Sequence, residues 1–326
     1  MSAVLTLGET MGLLTPQGRL AAGSALAVGI GGAESNVAIG LARLGVDVTW
    51  VSRVGDDDLG RAVVREIRAE GVRVLADPDP AAPTGMMLKE LRGGRTHRVR
   101  YYRAGSAASR LAPAHVDAVA PEIGAARVLH LTGITPALGP GPRAAVARAV
   151  GIAREAGVLV SLDVNHRRTL WSDAEARAVL GELVPACDLV FAGPEEAALV
   201  LGVDAAPDAA PVDAEGGADL AARLAKLGSA TAVVKLGPLG AVAHAGGTSV
   251  HAPTRPVEVV DAVGAGDAFV AGYLAELVED RPVEASLALG NAAGGAVCLV
   301  HGDWEGLPTR AELAALQADP PTDVLR

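Results

Sequence analysis

The sequence predicts an α/β fold, a largely parallel sheet with helices packed on it and a small second sheet at its side. Three observations predict it. Short apolar runs alternate with helix-spaced patterns along most of the chain. Two early segments break that alternation with hairpin-like stretches and no helix. Half of the 326 residues are hydrophobic, enough to give one large domain a sizeable core.

The elements follow in order. The N-terminal stretch MSAVLTLGETMGLL reads as a first strand rather than a leader, because it lacks a basic region, a long apolar run and a cleavage site. Core strands are expected at AVLTL near Val4, VTWVS from Val48, RVLHL from Arg127, VLVSLDV from Val158, DLVFA from Asp188 and TAVVKL from Thr231. Helical spacing is clearest over 35–44, 59–70, 143–155, 174–184 and 219–226. LAAGSALAVGI and TGMMLKELRGGRTHRVRYYR, the second with a central Gly-Gly, read as hairpin material. They place lid strands at about 16–30 and 84–103 within a single domain spanning 1–326. Ligands of open α/β sheets bind at the carboxyl ends of strands, where such a sheet can close over them. The stretch 203–217, rich in Ala, Pro and Asp, reads as a surface loop.

A net charge of −10 argues against nucleic acid or an anionic membrane as partner, since both are repelled overall. Cys187 and Cys298 stand far apart in no metal-binding spacing, which suits a reducing compartment. No apolar run is long enough to span a bilayer, so a cytoplasmic location is expected. The exposed edge and face of a lid sheet make a homo-oligomer through the lid the expected assembly.

The most informative stretch is DAVGAGDAFVAGYLAEL, from Asp261 to Leu277. Phe269, Val270, Tyr273, Leu274 and Leu277 share one helical face, so a helix begins near Gly266 or Asp267. Its first turn has free N–H groups, Gly264 and Gly266 leave room beside them, and the dipole favours an anion there. A carboxylate at that point repels an anion unless it serves a neutral group about to lose a proton. Phosphoryl transfer to an alcohol has that demand, so the turn reads as an oxyanion cradle beside a base, Asp267.

GGAESNVAIGLARLG, from Gly31 to Gly45, is a second glycine-led helix start. Its Asn36 suits a polyhydroxylated ligand and suits helix capping equally. DVNHRRTLW puts Asn165, Arg167 and Arg168 just past a strand end, where one arginine is expected to be plain solvated surface. HRVRYYRAGSAASRL alternates its side chains, so Tyr101 and Arg103 share a face that Tyr102 does not. A guanidinium there can grip a carboxylate through two bonds, although exposed strand-end arginines usually do nothing specific. KLGPLGAV, from Lys235, is a strand and glycine turn suited to a nucleotide, and weak as a lone motif.

Together these residues resemble the ribokinase-like sugar kinases of the phosphofructokinase B type, from the first strand to about Pro308. GGAESNVAIGLARLG resembles that family's N-terminal signature and DAVGAGDAFVAGYLAEL its highly specific C-terminal one. The resemblance implies a three-layer α/β/α core with a β lid, ATP as donor, magnesium, and a monovalent cation such as K+. It implies Asp267 as base, Gly264, Ala265 and Gly266 as anion hole, and Lys235, Gly237, Gly240, Asn165 and Asn291 on the nucleotide. Within the family, GGAESN, YYRAGSAASRL, HLTGITPAL, SLDVNHRRTLW and HGDWEG are most similar to 2-keto-3-deoxygluconate kinases. That likeness implies sugar contacts from Gly32, Asn36, Tyr101, Arg103, Arg167 and Asp303. A substrate carboxylate fits, since a neutral hexose would leave cationic partners buried and unpaired.

Three positions depart from the pattern. Met87 stands where a tyrosine is expected, Ala262 replaces a threonine, and the magnesium-linked Asn-x-x-Glu motif reads Gly193-Pro194-Glu195-Glu196, leaving Glu196 as its one matching residue. The expected activity is ATP-dependent phosphorylation of the C6 hydroxyl of 2-keto-3-deoxygluconate or its galactonate epimer. A kinase of a neutral sugar such as fructose or ribose is the rival enzyme, and a sugar sensor without catalysis the rival of another class.

Overall fold

The computed structural model describes residues 2–92, 95–203 and 212–318. The strands are β1 (Val4–Leu7), β2 (Met11–Pro16), β3 (Leu26–Gly31), β4 (Val48–Gly55), β5 (Arg73–Asp79), β6 (Met86–Arg92) and β7 (Arg95–Tyr102). They continue with β8 (Val128–Thr132), β9 (Leu159–Asp163), β10 (Leu189–Ala192), β11 (Thr231–Lys235), β12 (Ala241–Ala245) and β13 (Thr248–Ala252). Nine of them form the main sheet in the order β13-β12-β11-β10-β9-β8-β1-β4-β5, and β3-β2-β6-β7 form the second. The main sheet is parallel except at one side, where β12 runs antiparallel to both β11 and the edge strand β13.

Each core strand is buried on both faces. Along β10, Leu189 and Phe191 enter one apolar core while Val190 and Ala192 enter the other. That two-residue alternation between two helical layers is why the strands read as continuous apolar runs. The helices Ala33–Arg43, Asp58–Ala69, Ala265–Leu277 and Val283–Val297 cover one face, and Pro140–Glu155, Asp173–Leu183 and Ala214–Ala225 the other. Phe191 meets Phe269 and Tyr273 edge-on, with ring centroids 6.2 and 5.1 Å apart.

Several sequence expectations need correction. The N-terminal stretch is two strands: β1 in the main sheet, then β2 in the lid, so the lid begins at Met11 rather than near 16. The chain changes sheets across Gly8, Glu9 and Thr10, where the Glu34 carboxyl lies against Gly8. The loop expected over 203–217 gives way to a helix at Ala214, capped by Asp213; 204–211 lies outside the described residues, as does the central Gly-Gly of the lid hairpin. The helix expected from 143 starts at Pro140, where prolines in a first turn cost no hydrogen bond.

Strand order reverses between β1 and β8, the crevice where open α/β sheets bind ligands. The lid stands over that point. Its strands enter and leave the core at Met11, Gly31, Met86 and Tyr102.

Candidate active site

The helix Ala265–Leu277 starts as its sequence requires. Gly264 caps it in the left-handed region at φ 79°, where a side chain would also meet the Asp303 carbonyl oxygen. Ala268 N bonds Gly264 O at 2.8 Å and Ala265 N bonds Ala262 O at 3.3 Å. The N–H groups of Gly266 and Asp267 are left without an acceptor among the described residues.

This turn separates two cavities. On one side lies a cavity of 540 Å³ lined by Lys235, Gly237, Gly240, Ala265, Gly266 and Asn291. On the other is a smaller one of 100 Å³ under the lid, lined by Gly32, Asn36, Tyr101, Arg103, Arg167, Gly264, Asp267 and Asp303. Met87 lines that smaller cavity too, a thioether facing the site where a phenol was expected. Asn165 is a correction. It does not line the larger cavity; its amide turns to Asp267 instead.

Asp267 is buried, and its oxygens accept from Asn36 Nδ2 at 2.8 Å and Asn165 Nδ2 at 3.4 Å. Burial pushes its carboxyl up to about 7; the Asn36 bond and the nearby Arg167 and Lys235 pull the other way, and the Asp163 charge adds to the rise. A carboxyl at that value is matched to proton transfer near neutral pH. The Oδ1 atoms of Asn36 and Asn165 are buried with no partner, and Asn36 lines the smaller cavity.

The arginines differ from expectation. Arg103 is buried and already paired, its Nη2 and Nε lying 2.5 and 2.6 Å from Glu9 Oε2, while Ser106 Oγ donates to Glu9 Oε1 at 2.5 Å. Its charge is therefore largely spent before any ligand arrives. Arg167 is exposed, and no ion pair forms on its side chain among the described residues. Asp303 is also pre-paired, with Lys89 Nζ at 2.8 Å, and burial raises its carboxyl above the usual range against the pull of Lys89.

Lys235 Nζ bonds both oxygens of Asp163 at 2.8 Å, beside the helix start. Burial opposes its charge, yet Asp163 outweighs that and holds the ammonium above the ordinary lysine range. Glu196, expected near the metal, is engaged by backbone groups. Its oxygens accept from the backbone N–H groups of Gly193 and His166 at 2.7 and 2.9 Å, so it caps the helix Pro194–Leu201. Among the described residues, no group of three or more His, Cys, Asp or Glu side chains is placed to hold a metal ion.

Sequence reading missed Glu9, Glu34 and Lys89. Glu34 is fully buried, its Oε1 accepting from Thr132 and Thr135 at 2.7 Å each, and burial raises its carboxyl pKa. It stood inside the quoted GGAESN stretch, so a signal was available for Glu34.

The pattern of the pfkB family carbohydrate kinases matches residues 1–310. A 2-dehydro-3-deoxygalactonokinase of Haloferax volcanii is 36% identical over 303 residues, covering 92% of this chain and 92% of its own. A 2-dehydro-3-deoxygluconokinase of Bacillus subtilis is 36% identical over 318 residues, covering 95% and 94%. The crystal structure of 2-dehydro-3-deoxygluconokinase from Thermotoga maritima superposes with a TM-score of 0.86 at 26% identity, covering 97% of this chain and 99% of that one. With a helix start that splits two cavities and sets a carboxyl against its own free N–H groups, the chain belongs to the pfkB family and is an ATP-dependent carbohydrate kinase.

Proposed function

We propose that the enzyme phosphorylates the C6 hydroxyl of 2-keto-3-deoxygluconate or its galactonate epimer. The observation that carries this is Arg167: it lines a small cavity whose other cation, Arg103, is already paired with Glu9, so it is the cation left there for an incoming carboxylate. The named relatives among keto-deoxy acid kinases support the same class.

In this reading the sugar lies under the lid, with Asn36 accepting from its hydroxyls and Asp303, Gly32 and Tyr101 completing the wall. Asp267 takes the proton from the attacking hydroxyl. The Gly266 and Asp267 N–H groups and the helix dipole stabilise charge on the transferring phosphoryl from the Gly264–Asp267 turn. ATP occupies the larger cavity, between the Lys235–Gly240 turn and Asn291. Magnesium, when bound, neutralises phosphate charge.

The test is an ATP-coupled assay over 2-keto-3-deoxygluconate, 2-keto-3-deoxygalactonate, fructose and ribose, repeated with K+ replaced by Na+. A preference of at least tenfold in kcat/KM for the keto-deoxy acids is expected. Equal or better turnover of fructose would favour the neutral-sugar reading, which the prior neutralisation of Arg103 and the apolar Met87 give a footing.

A further inference from the structure

Between Asn165, which bonds Asp267, and Arg167, which lines the smaller cavity, stands His166, which faces away from that cavity and is held from three sides. Its backbone N–H donates to Glu196 Oε1 at 2.9 Å. Trp171 Nε1 donates to its Nδ1 at 3.1 Å, which leaves the ring proton on Nε2, and Nε2 donates to Asp173 Oδ1 at 2.9 Å. Leu170 N closes the turn back onto Arg167 O at 2.8 Å. The His166 side chain is only 8% exposed, and Trp171 is buried. Glu196 and Asp173 stand in the first turns of two different helices, so the loop is tied to two rigid elements.

The neighbours need such an anchor. Asn165 holds φ 38°, a left-handed conformation that costs a side-chain-bearing residue free energy, and from it reaches Asp267. Arg167 is exposed and forms no ion pair or hydrogen bond among the described residues, so only its backbone and the through-space attraction of Asp267 direct it toward the cavity. A long side chain on a loose backbone loses much of its binding contribution to ordering entropy.

We propose that His166, clamped by Trp171, Asp173 and Glu196, is a positioning residue that presents Arg167 to the sugar acid. The substrate half of this rests on the reading that Arg167 meets a carboxylate. The clamp itself does not.

Two variants and two readouts separate them. Trp171→Phe keeps the ring and removes the donor to His166; Asp173→Asn, at an exposed position, is the milder change. Trypsin cleavage after Arg167 and Arg168, followed by mass spectrometry on the folded enzyme, reads the clamp without any substrate. It should accelerate at least fivefold in Trp171→Phe and in the same direction in Asp173→Asn. In the kinetic arm, Trp171→Phe should raise KM for 2-keto-3-deoxygluconate about fivefold with kcat within twofold, and add nothing further in an Arg167→Ala background. Unchanged cleavage in both variants overturns the clamp whatever the substrate is. Faster cleavage with fully additive kinetics overturns its service to Arg167. A wild-type enzyme without acid preference overturns the proposed function alone, and the cleavage arm still decides the clamp.

Discussion

Asp267 concentrates the chemistry and the cost of the site in one carboxyl. Replacing it with asparagine should lower kcat by about 10²-fold or more while leaving ATP affinity near normal, read by steady-state kinetics and nucleotide titration. Its raised pKa gives a second expectation. Between its ordinary 3.8 and the folded value of about 7, the folded state binds the proton more tightly than the unfolded chain, so stability falls as pH rises through that window. Asp267→Asn removes this loss. The variant should therefore gain on wild type from about pH 4 to about pH 7 and hold a constant advantage above, up to ~4 kcal/mol, in urea unfolding. In wild type, kcat/KM should rise with a midpoint near pH 7, and Arg167→Ala should move that midpoint upward, because Arg167 favours the ionised base. Glu9 carries a different weight: Glu9→Ala leaves Arg103 buried without its counter-charge, an expected loss of about 3–5 kcal/mol by denaturant titration.

At the scale of elements, the helix start at Gly264 shows what sequence makes legible. Glycines before an apolar helical face, with a carboxylate in the first turn, are a local pattern, and the helix start near Gly266 was read from it directly. Pairings across the chain leave no such trace. Glu9 and Arg103 are 94 residues apart, and Lys89 and Asp303 are 214 apart; no spacing rule connects them. Hence Arg103 read as a free cation until the fold supplied its partner. The edge strands β5 and β13 went unread for a related reason, since β5 carries Pro78 and β13 is mostly exposed. The two glycines of the cradle should respond differently to alanine. At Gly264 a Cβ would overlap the Asp303 carbonyl at a positive φ, so Gly264→Ala should destabilise the fold and lower the melting temperature. At Gly266 the nearest atom is Lys235 Nζ at 3.5 Å, so Gly266→Ala should fold normally and lose turnover more than sugar affinity.

For the molecule as a whole, the lid is the part with an unfinished surface. Leu26, Val28 and Tyr102 are exposed on its strands, and Val28 lies on the edge strand β3. Pairing of two lids would cover them, so light scattering should give a dimer and Val28→Glu a monomer. Among the described residues, no helix is long and apolar enough to cross a membrane. The crossings between the two sheets have a further consequence. Each strand of the lid begins or ends within a residue or two of the sugar cavity, at Met11, Gly31, Met87 and Tyr101. On the proposed site the sugar would sit at the fulcrum of the lid rather than beneath its span, so that a molecule of a few ångströms would fix the pivot of a sheet far larger than itself. Amide hydrogen exchange should then slow along β2, β3, β6 and β7 out to their far ends when sugar binds, in residues the sugar never touches.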